Sequence, residues 1–477
     1  MSNLTGLRWR KPVPAADRTP AVRSVLLYVA MFTGAVLGYV CINAVGSDLV
    51  APAALTPGTF GHPVLLSSAH TLLHVLLAMA IIMMVARSVG AVFRKIGQPP
   101  VIGEMVAGIL LGPSLLGWAS PSLSAYVLPS AIMPLLSVIA QIGVILFMFI
   151  VGIELDTPHL RRQTRATIAI SHASIVVPFL LGLCLALPLY AQLSTRDVPF
   201  YVFALFMGVS MSVTAFPVLA RILTDRGMHR SHLGTIALAC AAVDDVTAWC
   251  LLALVVGVAQ AQPERVFVTL ALTAGFAAIM FGLVRPLVLR WAQQYERDQF
   301  STQAMVSTAC IALLLSALAT EGIGIHALVG AFLLGSFVPH DSKAARDLRS
   351  RLEDAVLVLF LPAFFAFAGM RTQIALLSGA NDWLLCGAII VVASAGKFGG
   401  SAIAARLCGF TWRQSATLGV LMNTRGLMEL IVLNIGLDLG VLSPTLFAML
   451  VLMAIVTTMA TTPIVEWLNR TQDYGAS

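Results

Sequence analysis

Long apolar stretches, separated by short polar segments, recur along almost the whole chain. A transmembrane helix needs about 20 mostly apolar residues to cross a hydrocarbon core of about 30 Å. The stretches do not alternate between apolar and polar positions, as strands of a β-barrel would, so we predict about 14 transmembrane helices. They cover residues 24–46, 64–86, 99–118, 131–153, 167–190, 199–222, 233–258, 266–289, 303–320, 324–339, 354–371, 383–405, 414–436 and 443–466.

The composition agrees with a polytopic, all-α membrane protein that lies in the lipid bilayer. Of the 477 residues, 58% are hydrophobic and only 11% are charged, whereas a soluble domain carries about 25% charged residues. This excludes a soluble enzyme, a disordered chain and a nucleic-acid-binding module. The seven cysteines are scattered singly, so we expect no disulfide framework, no resident metal and no cofactor.

The basic residues are distributed unevenly among the predicted loops. With the N-terminus in the cytoplasm, 24 of the 29 Lys and Arg residues lie in cytoplasmic segments, and only Arg196, Arg265 and Arg371 lie outside. This is the positive-inside pattern, and it accounts for the net charge of +7 without a nucleic-acid partner. We expect both termini to be cytoplasmic and the protein to lie in a cell (inner) membrane. The excess of Arg over Lys suggests a bacterial source.

The predicted spans divide the chain into an N-terminal tail (1–23), an additional helix and loop (24–63), a transmembrane domain (64–466) and a short tail (467–477). Residues 24–46 follow five basic residues, as a signal peptide would. Their apolar run is longer than the 7–15 residues of a typical signal peptide, so we expect a retained helix. We expect no C-terminal regulatory domain.

Two short patterns occur twice in the same order. VAGILLGP (106–113) resembles VGAFLLGS (329–336), and FMFIVGIELD (147–156) resembles FFAFAGMRTQ (364–373). The third and tenth spans are seven apart, so the units that begin with them would cross the membrane in opposite directions. We predict inverted five-helix repeats over about 99–258 and 324–466, as in secondary transporters. Coincidence among small-residue packing motifs is the alternative.

The fourth predicted helix of each repeat contains residues that interrupt a helix. In the first repeat Pro217 lacks a backbone donor, and Ser212 and Thr214 precede it by about one turn. In the second repeat an otherwise apolar run is interrupted by Asn423, Thr424 and Arg425. We predict that both helices unwind there and expose carbonyl groups to a cation. A kinked but continuous helix is the alternative.

Several ionisable residues lie inside predicted spans, where each costs about 2.5–3.5 kcal/mol on insertion scales. Asp244 and Lys397 lie roughly 16 Å and 12 Å from the cytoplasmic ends of their helices, so they could meet near the midplane. Such an ion pair leaves Asp245 unexplained, and a carboxylate that binds either a hard cation or a proton would explain it. Arg425 and Glu429, four residues apart, could neutralise each other.

The histidines give no further site. His70 and His74 have metal-ligand spacing, but no third ligand is near in the sequence, so a polar stripe on a peripheral helix is the preferred interpretation. His172 and His326 are interpreted as packed or interfacial residues.

Five motifs resemble those of the second family of monovalent cation:proton antiporters. They are AAVDDVTAWCLLALVV, SVTAFPVLARIL, IGIHALVGAFLLGSFVP, AGKFGG and LMNTRGLMELIVLNIG. Plant cation/proton exchangers and bacterial potassium– or sodium–proton antiporters are most similar, over about 64–466. The resemblance implies a 13-helix sodium/proton antiporter fold with two crossed, interrupted helices, and a homodimer. The third to fifth helices of each repeat would form a bundle that moves against a dimerisation scaffold.

The resemblance also implies roles for single residues. We take Asp245, Asp244 and Thr214 as the candidate cation- and proton-binding residues. Asp245 matches the aspartate that binds the cation and the proton, and Asp244 matches the neighbour that pairs with Lys397. Thr214 and residues 423–425 match the crossing of the unwound helices. Both aspartates together with the lysine resemble the electrogenic branch. We therefore expect exchange of Na⁺ or K⁺ for H⁺; a proton-coupled exporter of an organic solute and a gated cation channel or sensor are the alternatives.

Overall fold

The computed structural model describes residues 19–47, 49, 68–154, 165–226, 228, 231–260, 266–298, 301–324 and 326–470. Over these residues the chain is helical and contains no β-strand. The first helix begins at Thr19, inside the predicted N-terminal tail. Most of the predicted loop before residue 63 and the end of the C-terminal tail lie outside the described residues.

The first half of the chain forms long helices and several short ones. They are α1 (Thr19–Gly46), α2 (Ser68–Lys95), α3 (Pro100–Leu111), α4 (Leu116–Ala119), α5 (Pro121–Val127), α6 (Met133–Glu154), α7 (Arg165–Leu193), α8 (Phe200–Ser212), α9 (Phe216–Asp225) and α10 (His232–Gln260).

The second half has the same character. Its helices are α11 (Val266–Ile279), α12 (Arg285–Glu296), α13 (Thr302–Ile323), α14 (Ala327–Gly335), α15 (Lys343–Ala355), α16 (Leu361–Met370), α17 (Ala380–Leu407), α18 (Trp412–Met422), α19 (Leu427–Asp438) and α20 (Pro444–Arg470). Single π-helical turns at Met280–Val284 and Val356–Phe360 join α11 to α12 and α15 to α16.

In the part of the chain that the structure describes, ten helices are long and apolar enough to cross a membrane, and the bent pair α18–α19 makes eleven. The count of about 14 full-length spans is therefore not confirmed. Of the other three predicted segments, 24–46 lies within the 28-residue helix α1, whose side chains are described only from Thr33 onward, whereas 199–222 and 324–339 contain shorter helices. In 199–222 the helix stops at Ser212 and restarts at Phe216. In 324–339 the helix begins only at Ala327, because the preceding residue, His326, has a positive φ of 70° that is not helical.

Two helices extend well beyond their predicted ends. The span predicted at 64–86 continues as α2 to Lys95, and the span predicted at 354–371 begins eleven residues earlier, with α15 at Lys343. Both extensions carry Lys and Arg residues that the sequence assigns to cytoplasmic loops. Long basic side chains can cover apolar surface and still reach water, so a helix can continue past its apolar window.

The duplicated glycine motifs lie at close contacts between helices of the two repeats. A Cβ atom on Gly335 of α14 would lie 2.2 Å from the Phe149 carbonyl oxygen of α6, and one on Gly152 would lie 2.4 Å from the Phe332 carbonyl oxygen. The same relation holds between α3 and α16. There a Cβ on Gly108 or on Gly369 would lie 2.2 or 2.3 Å from a backbone oxygen of the other helix. The first helix of each repeat thus packs against the second helix of the other.

The AGKFGG motif brings α17 close to α7. A Cβ on Gly400 would lie 2.8 Å from the Ala173 carbonyl oxygen, and one on Gly396 would lie 3.0 Å from the Pro178 Cα atom. These two glycines flank Lys397, which is fully buried. The close contact explains how a lysine on α17 reaches groups on α7 and α8.

Candidate functional site

Both interrupted helices unwind at the predicted places, and the kinked-helix alternative is wrong. Helix α8 ends at Ser212 and α9 begins at Phe216, with Val213 in an extended conformation. The second interruption separates α18 from α19 over residues 423–426. The Ala215 N–H donates to the Thr424 carbonyl over 3.0 Å, so the two unwound segments cross in direct contact.

The polar residues at the first interruption explain the break. Pro217 is the second residue of α9, where its missing N–H costs no hydrogen bond inside the helix. The Ser212 hydroxyl donates to the Gly208 carbonyl over 2.6 Å, and the Thr214 hydroxyl lies 3.4 Å from the Met422 carbonyl oxygen. At the second interruption the Thr424 hydroxyl donates to the Leu421 carbonyl over 2.7 Å. Hydroxyl groups therefore replace part of the lost helical bonding.

Asp244 is fully buried on α10 and accepts three hydroxyl hydrogen bonds. Ser171 and Ser174 of α7 each donate over 2.5 Å, and Thr214 donates over 2.7 Å. The predicted partner Lys397 is present, but its Nζ atom lies 3.4 Å from Asp244 Oδ2. The hydroxyl groups are thus closer to the carboxylate than the ammonium is.

The Lys397 ammonium makes its closer contacts with backbone carbonyls. It donates to the Ser174 carbonyl over 3.0 Å and also to the Ser212 carbonyl. Ser212 is the last residue of α8. Lys397 therefore caps the C-terminal end of α8, where unpaired carbonyls and the helix dipole favour a cation.

Arg425 caps the same helix end from the other interrupted helix. Its guanidinium donates to the Ser210 and Met211 carbonyls over 2.9 Å each, and to Glu429 over 3.0 Å. The expected i, i+4 contact between Arg425 and Glu429 is therefore present, and both side chains are fully buried. The last three carbonyls of α8 are all bonded by cations from the second repeat.

Asp245 differs from its neighbour. Its side chain is 5% exposed, and its carboxylate lies beside the backbone N–H of Phe216 at the first residue of α9. Within the described residues its buried Oδ1 atom has no hydrogen-bond partner, and the same is true of Asn423 Oδ1. These two oxygens therefore have lone pairs available for a cation, and Asp245 Oδ1 also for a proton.

Three site residues were missed from the sequence. Ser171 and Ser174 bind Asp244, and the Thr458 hydroxyl accepts from the Arg425 N–H over 2.8 Å. The only signal was the spacing of the two serines, three residues apart in an apolar helix. Serines in helices commonly bond to their own backbone, so this signal was weak.

The contacts described for His74 and His172 are with residues outside the crossing. The His74 ring lies 5.5 Å from that of Tyr126, the side chain of His70 is outside the described residues, and His172 Nδ1 contacts the Ile168 carbonyl oxygen over 2.9 Å. His326, predicted from the sequence to be a packed or interfacial residue, has a positive φ of 70° and directly precedes α14. Across the described ranges, no three His, Cys, Asp or Glu side chains are grouped as metal ligands.

The sequence is similar to known cation/proton antiporters. Residues 80–468 match the family described as sodium/hydrogen exchanger, transmembrane. The Na⁺/H⁺ antiporter NhaS4 of Synechocystis sp. is 42% identical over 83% of this chain and 97% of its own length. The cation/H⁺ antiporter 20 of Arabidopsis thaliana and the K⁺/H⁺ antiporter 1 of Saccharomyces cerevisiae are 40% and 35% identical over 81% of this chain. This chain spans about half the length of these last two relatives.

The fold is also similar to a solved structure. The sodium proton antiporter MjNhaP1 of Methanocaldococcus jannaschii aligns with 82% of this chain and 96% of its own length, with a TM-score of 0.56 and 16% sequence identity. The helical architecture with crossed, interrupted helices is thus that of a sodium/proton antiporter. The chain belongs to the sodium/hydrogen exchanger family of multi-pass transmembrane antiporters, which exchange monovalent cations for protons.

Proposed function

We propose that this protein exchanges a monovalent cation, Na⁺ or K⁺, for protons, and that both ligands bind to Asp245. The observation that carries this proposal is the buried Asp245 Oδ1 atom, which has no hydrogen-bond partner among the described residues. The neighbouring Asp244, by contrast, has partners at both oxygens. Asp245 is thus the member of the pair that can still accept a ligand.

Exchange follows because the cation and the proton bind to the same carboxylate, that of Asp245. Hard cations prefer oxygen ligands, and an ionised carboxylate also attracts a proton. A buried carboxylate without either ligand is costly, so each departing ligand favours binding of the other. Asn423 Oδ1 and the backbone of the unwound segments would add neutral oxygens for the cation.

Asp244 and Lys397 have a different role in this proposal. They hold the interrupted helix α8 and supply charges beside Asp245 that do not themselves bind the cation. In agreement with the resemblance to the electrogenic branch, we propose that each cycle moves more protons than cations. The exporter and channel alternatives receive no support, because the relatives described above are cation/proton antiporters.

The finer placement of the protein rests on the sequence. We propose that both termini are cytoplasmic, because the Lys and Arg residues favour that orientation. We also propose a homodimer, as the resemblance to cation:proton antiporters implies, in a cell (inner) membrane. Transport is the activity proposed, without an enzymatic reaction or a cofactor.

The test is Asp245→Asn in proteoliposomes that contain a pH-sensitive dye. The variant keeps the shape of the side chain but removes its charge, so we expect cation-driven proton movement to disappear for both Na⁺ and K⁺. Asp197→Asn is the control, because Asp197 is an exposed aspartate outside the crossing. Exchange at the wild-type rate in Asp245→Asn would refute the assignment.

A further inference from the structure

The two serines on α7 surround Asp244 more closely than its lysine partner does. Ser171 and Ser174 lie one turn apart on the same face of α7, and both are fully buried. Ser171 donates to Oδ1 and Ser174 donates to Oδ2, both over 2.5 Å. With Thr214 on Oδ2, Asp244 has three hydroxyl donors, two from α7 and one from the unwound segment between α8 and α9.

The contact with Lys397 is long for an ion pair. Charge-assisted N–H···O bonds are usually about 2.7–2.9 Å, whereas Lys397 Nζ lies 3.4 Å from Asp244. The ammonium is nearer to the Ser174 and Ser212 carbonyl oxygens. Ser174 thus contacts both charges, with its hydroxyl on the carboxylate and its carbonyl on the ammonium.

In this arrangement the Asp244 carboxylate and the Lys397 ammonium each have hydrogen-bond partners other than one another. A buried carboxylate without hydrogen-bond donors is strongly unfavourable, so an aspartate that depended on Lys397 alone could not remain charged after the lysine moved. Three hydroxyl donors satisfy Asp244 without Lys397. Lys397 in turn has two carbonyl acceptors that do not depend on Asp244.

We propose that Ser171 and Ser174 are positioning residues for exchange. Together with Thr214 they stabilise the Asp244 carboxylate independently of Lys397. The lysine can therefore leave Asp244 during the transport cycle, and the buried carboxylate still has hydrogen-bond donors. This inference rests on the transport site proposed above.

The test is a double-mutant cycle on exchange rates per folded protein. The four proteins are the wild type, Lys397→Ala, the double variant Ser171→Ala/Ser174→Ala, and the triple variant. Because hydrogen bonds to charged groups contribute about 1.5–3 kcal/mol, we expect Lys397→Ala to slow exchange at least about tenfold more in the serine-free background than in the wild type. In the double serine variant the apparent Michaelis constant for the cation should change less than about twofold, because the cation binds to Asp245 and the two uncharged serines contact Asp244.

Two further variants separate positioning from packing. Ser174→Thr keeps the hydroxyl, so combined with Lys397→Ala it should exchange at the rate of Lys397→Ala alone. Ser415→Ala is the matched control, because Ser415 is a buried serine of α18 whose hydroxyl has no partner among the described residues. Its combination with Lys397→Ala should be additive.

Equal effects of Lys397→Ala in the two backgrounds would overturn this inference. If the double serine variant does not fold, each single serine variant is combined with Lys397→Ala, and additivity in both would overturn it equally. Asp245→Asn is measured beside them. Exchange in Asp245→Asn would refute the proposed site, whereas additive serine variants with an inactive Asp245→Asn would refute only the role of the serines.

Discussion

At the scale of single residues, the charges at the crossing are matched to the helix ends that the interruptions create. Lys397 and Arg425 bond to the last carbonyls of α8, where the helix dipole is negative. Asp245 lies beside the first N–H of α9, and Glu429 is in the first turn of α19. Both carboxylates are thus at N-terminal helix ends, where the helix dipole is positive. The unwound helices thus expose carbonyl groups, and their ends also stabilise the buried charged side chains.

Arg425 gives a direct test of this capping. Arg425→Ala would leave Glu429 without its partner and two α8 carbonyls without donors, and breaking a buried pair typically costs about 3–5 kcal/mol. We expect a clear drop in Tm in detergent. Arg425→Lys should recover only part of it, because an ammonium does not have the planar fork that contacts two carbonyls and a carboxylate.

A substitution of Glu429 distinguishes the ion pair of Arg425 from its hydrogen bonds to the α8 carbonyls. Arg425→Ala combined with Glu429→Gln removes the stranded charge but leaves the carbonyls uncapped. We therefore expect this protein to have a Tm between those of Arg425→Ala and the wild type. A full return to the wild-type Tm would show that Arg425 serves only to neutralise Glu429.

The charged residues of the site could be predicted from the sequence, but their hydroxyl partners could not. Asp244, Asp245 and Lys397 stand out because a charge inside an apolar run is costly and needs a reason. Ser171 and Ser174 do not stand out, since a serine in an apolar helix can satisfy itself on its own backbone. Only the approach of α7 to α10 and α17 shows that these two hydroxyls contact Asp244.

At the scale of elements, glycines determine how closely the two repeats pack. Gly335→Ala should place a methyl group 2.2 Å from the Phe149 carbonyl oxygen, so α14 and α6 would have to separate. Such overpacking usually costs about 1–3 kcal/mol, and we expect a lower Tm.

Gly387→Ala is the matched control for Gly335→Ala. Gly387 lies within α17 with no atom within 4 Å of its would-be Cβ. Alanine there should be neutral or stabilise the helix by up to about 1 kcal/mol. Equal Tm changes in both variants would show that the close crossing of α6 and α14 does not limit stability.

Helix interruptions were easier to predict than helix ends. Pro217 and the polar run at 423–425 identify the breaks because each removes or competes with helical hydrogen bonds. The C-terminal end of α2 and the start of α15 were misplaced, because hydropathy detects the hydrocarbon-length stretch and α-helices do not stop where that stretch stops.

At the scale of the whole molecule, contacts from residues beside α16 and α3 reach two helices of the bundle that is predicted to move. Arg371, which follows α16, donates to Asn434 and Asp438 of α19 over 3.0 Å and 2.6 Å. At the other end, Gln98 donates to the Met459 carbonyl of α20 over 3.3 Å. Asp245 is only 5% exposed, so we expect the cation and the proton to reach it when these helices move.

A single shared carboxylate predicts how transport depends on pH. Protons compete with the cation for Asp245, so below the pH at which Asp245 takes up a proton, the apparent Michaelis constant for the cation should rise about tenfold per pH unit. The maximal rate should change little, because saturating cation displaces the proton. Activity at a fixed, low cation concentration should therefore rise with pH.

The measurement is cation dependence of exchange at three pH values, in proteoliposomes of one composition with ionic strength held constant by a large, non-transported organic cation. Asp197→Asn, a substitution of an exposed residue outside the crossing, should show the wild-type pH dependence. A Michaelis constant that does not change with pH, together with a maximal rate that does, would contradict competition at Asp245. It would indicate a separate pH sensor or uncoupled cation conduction, because neither requires the proton and the cation to occupy the same carboxylate.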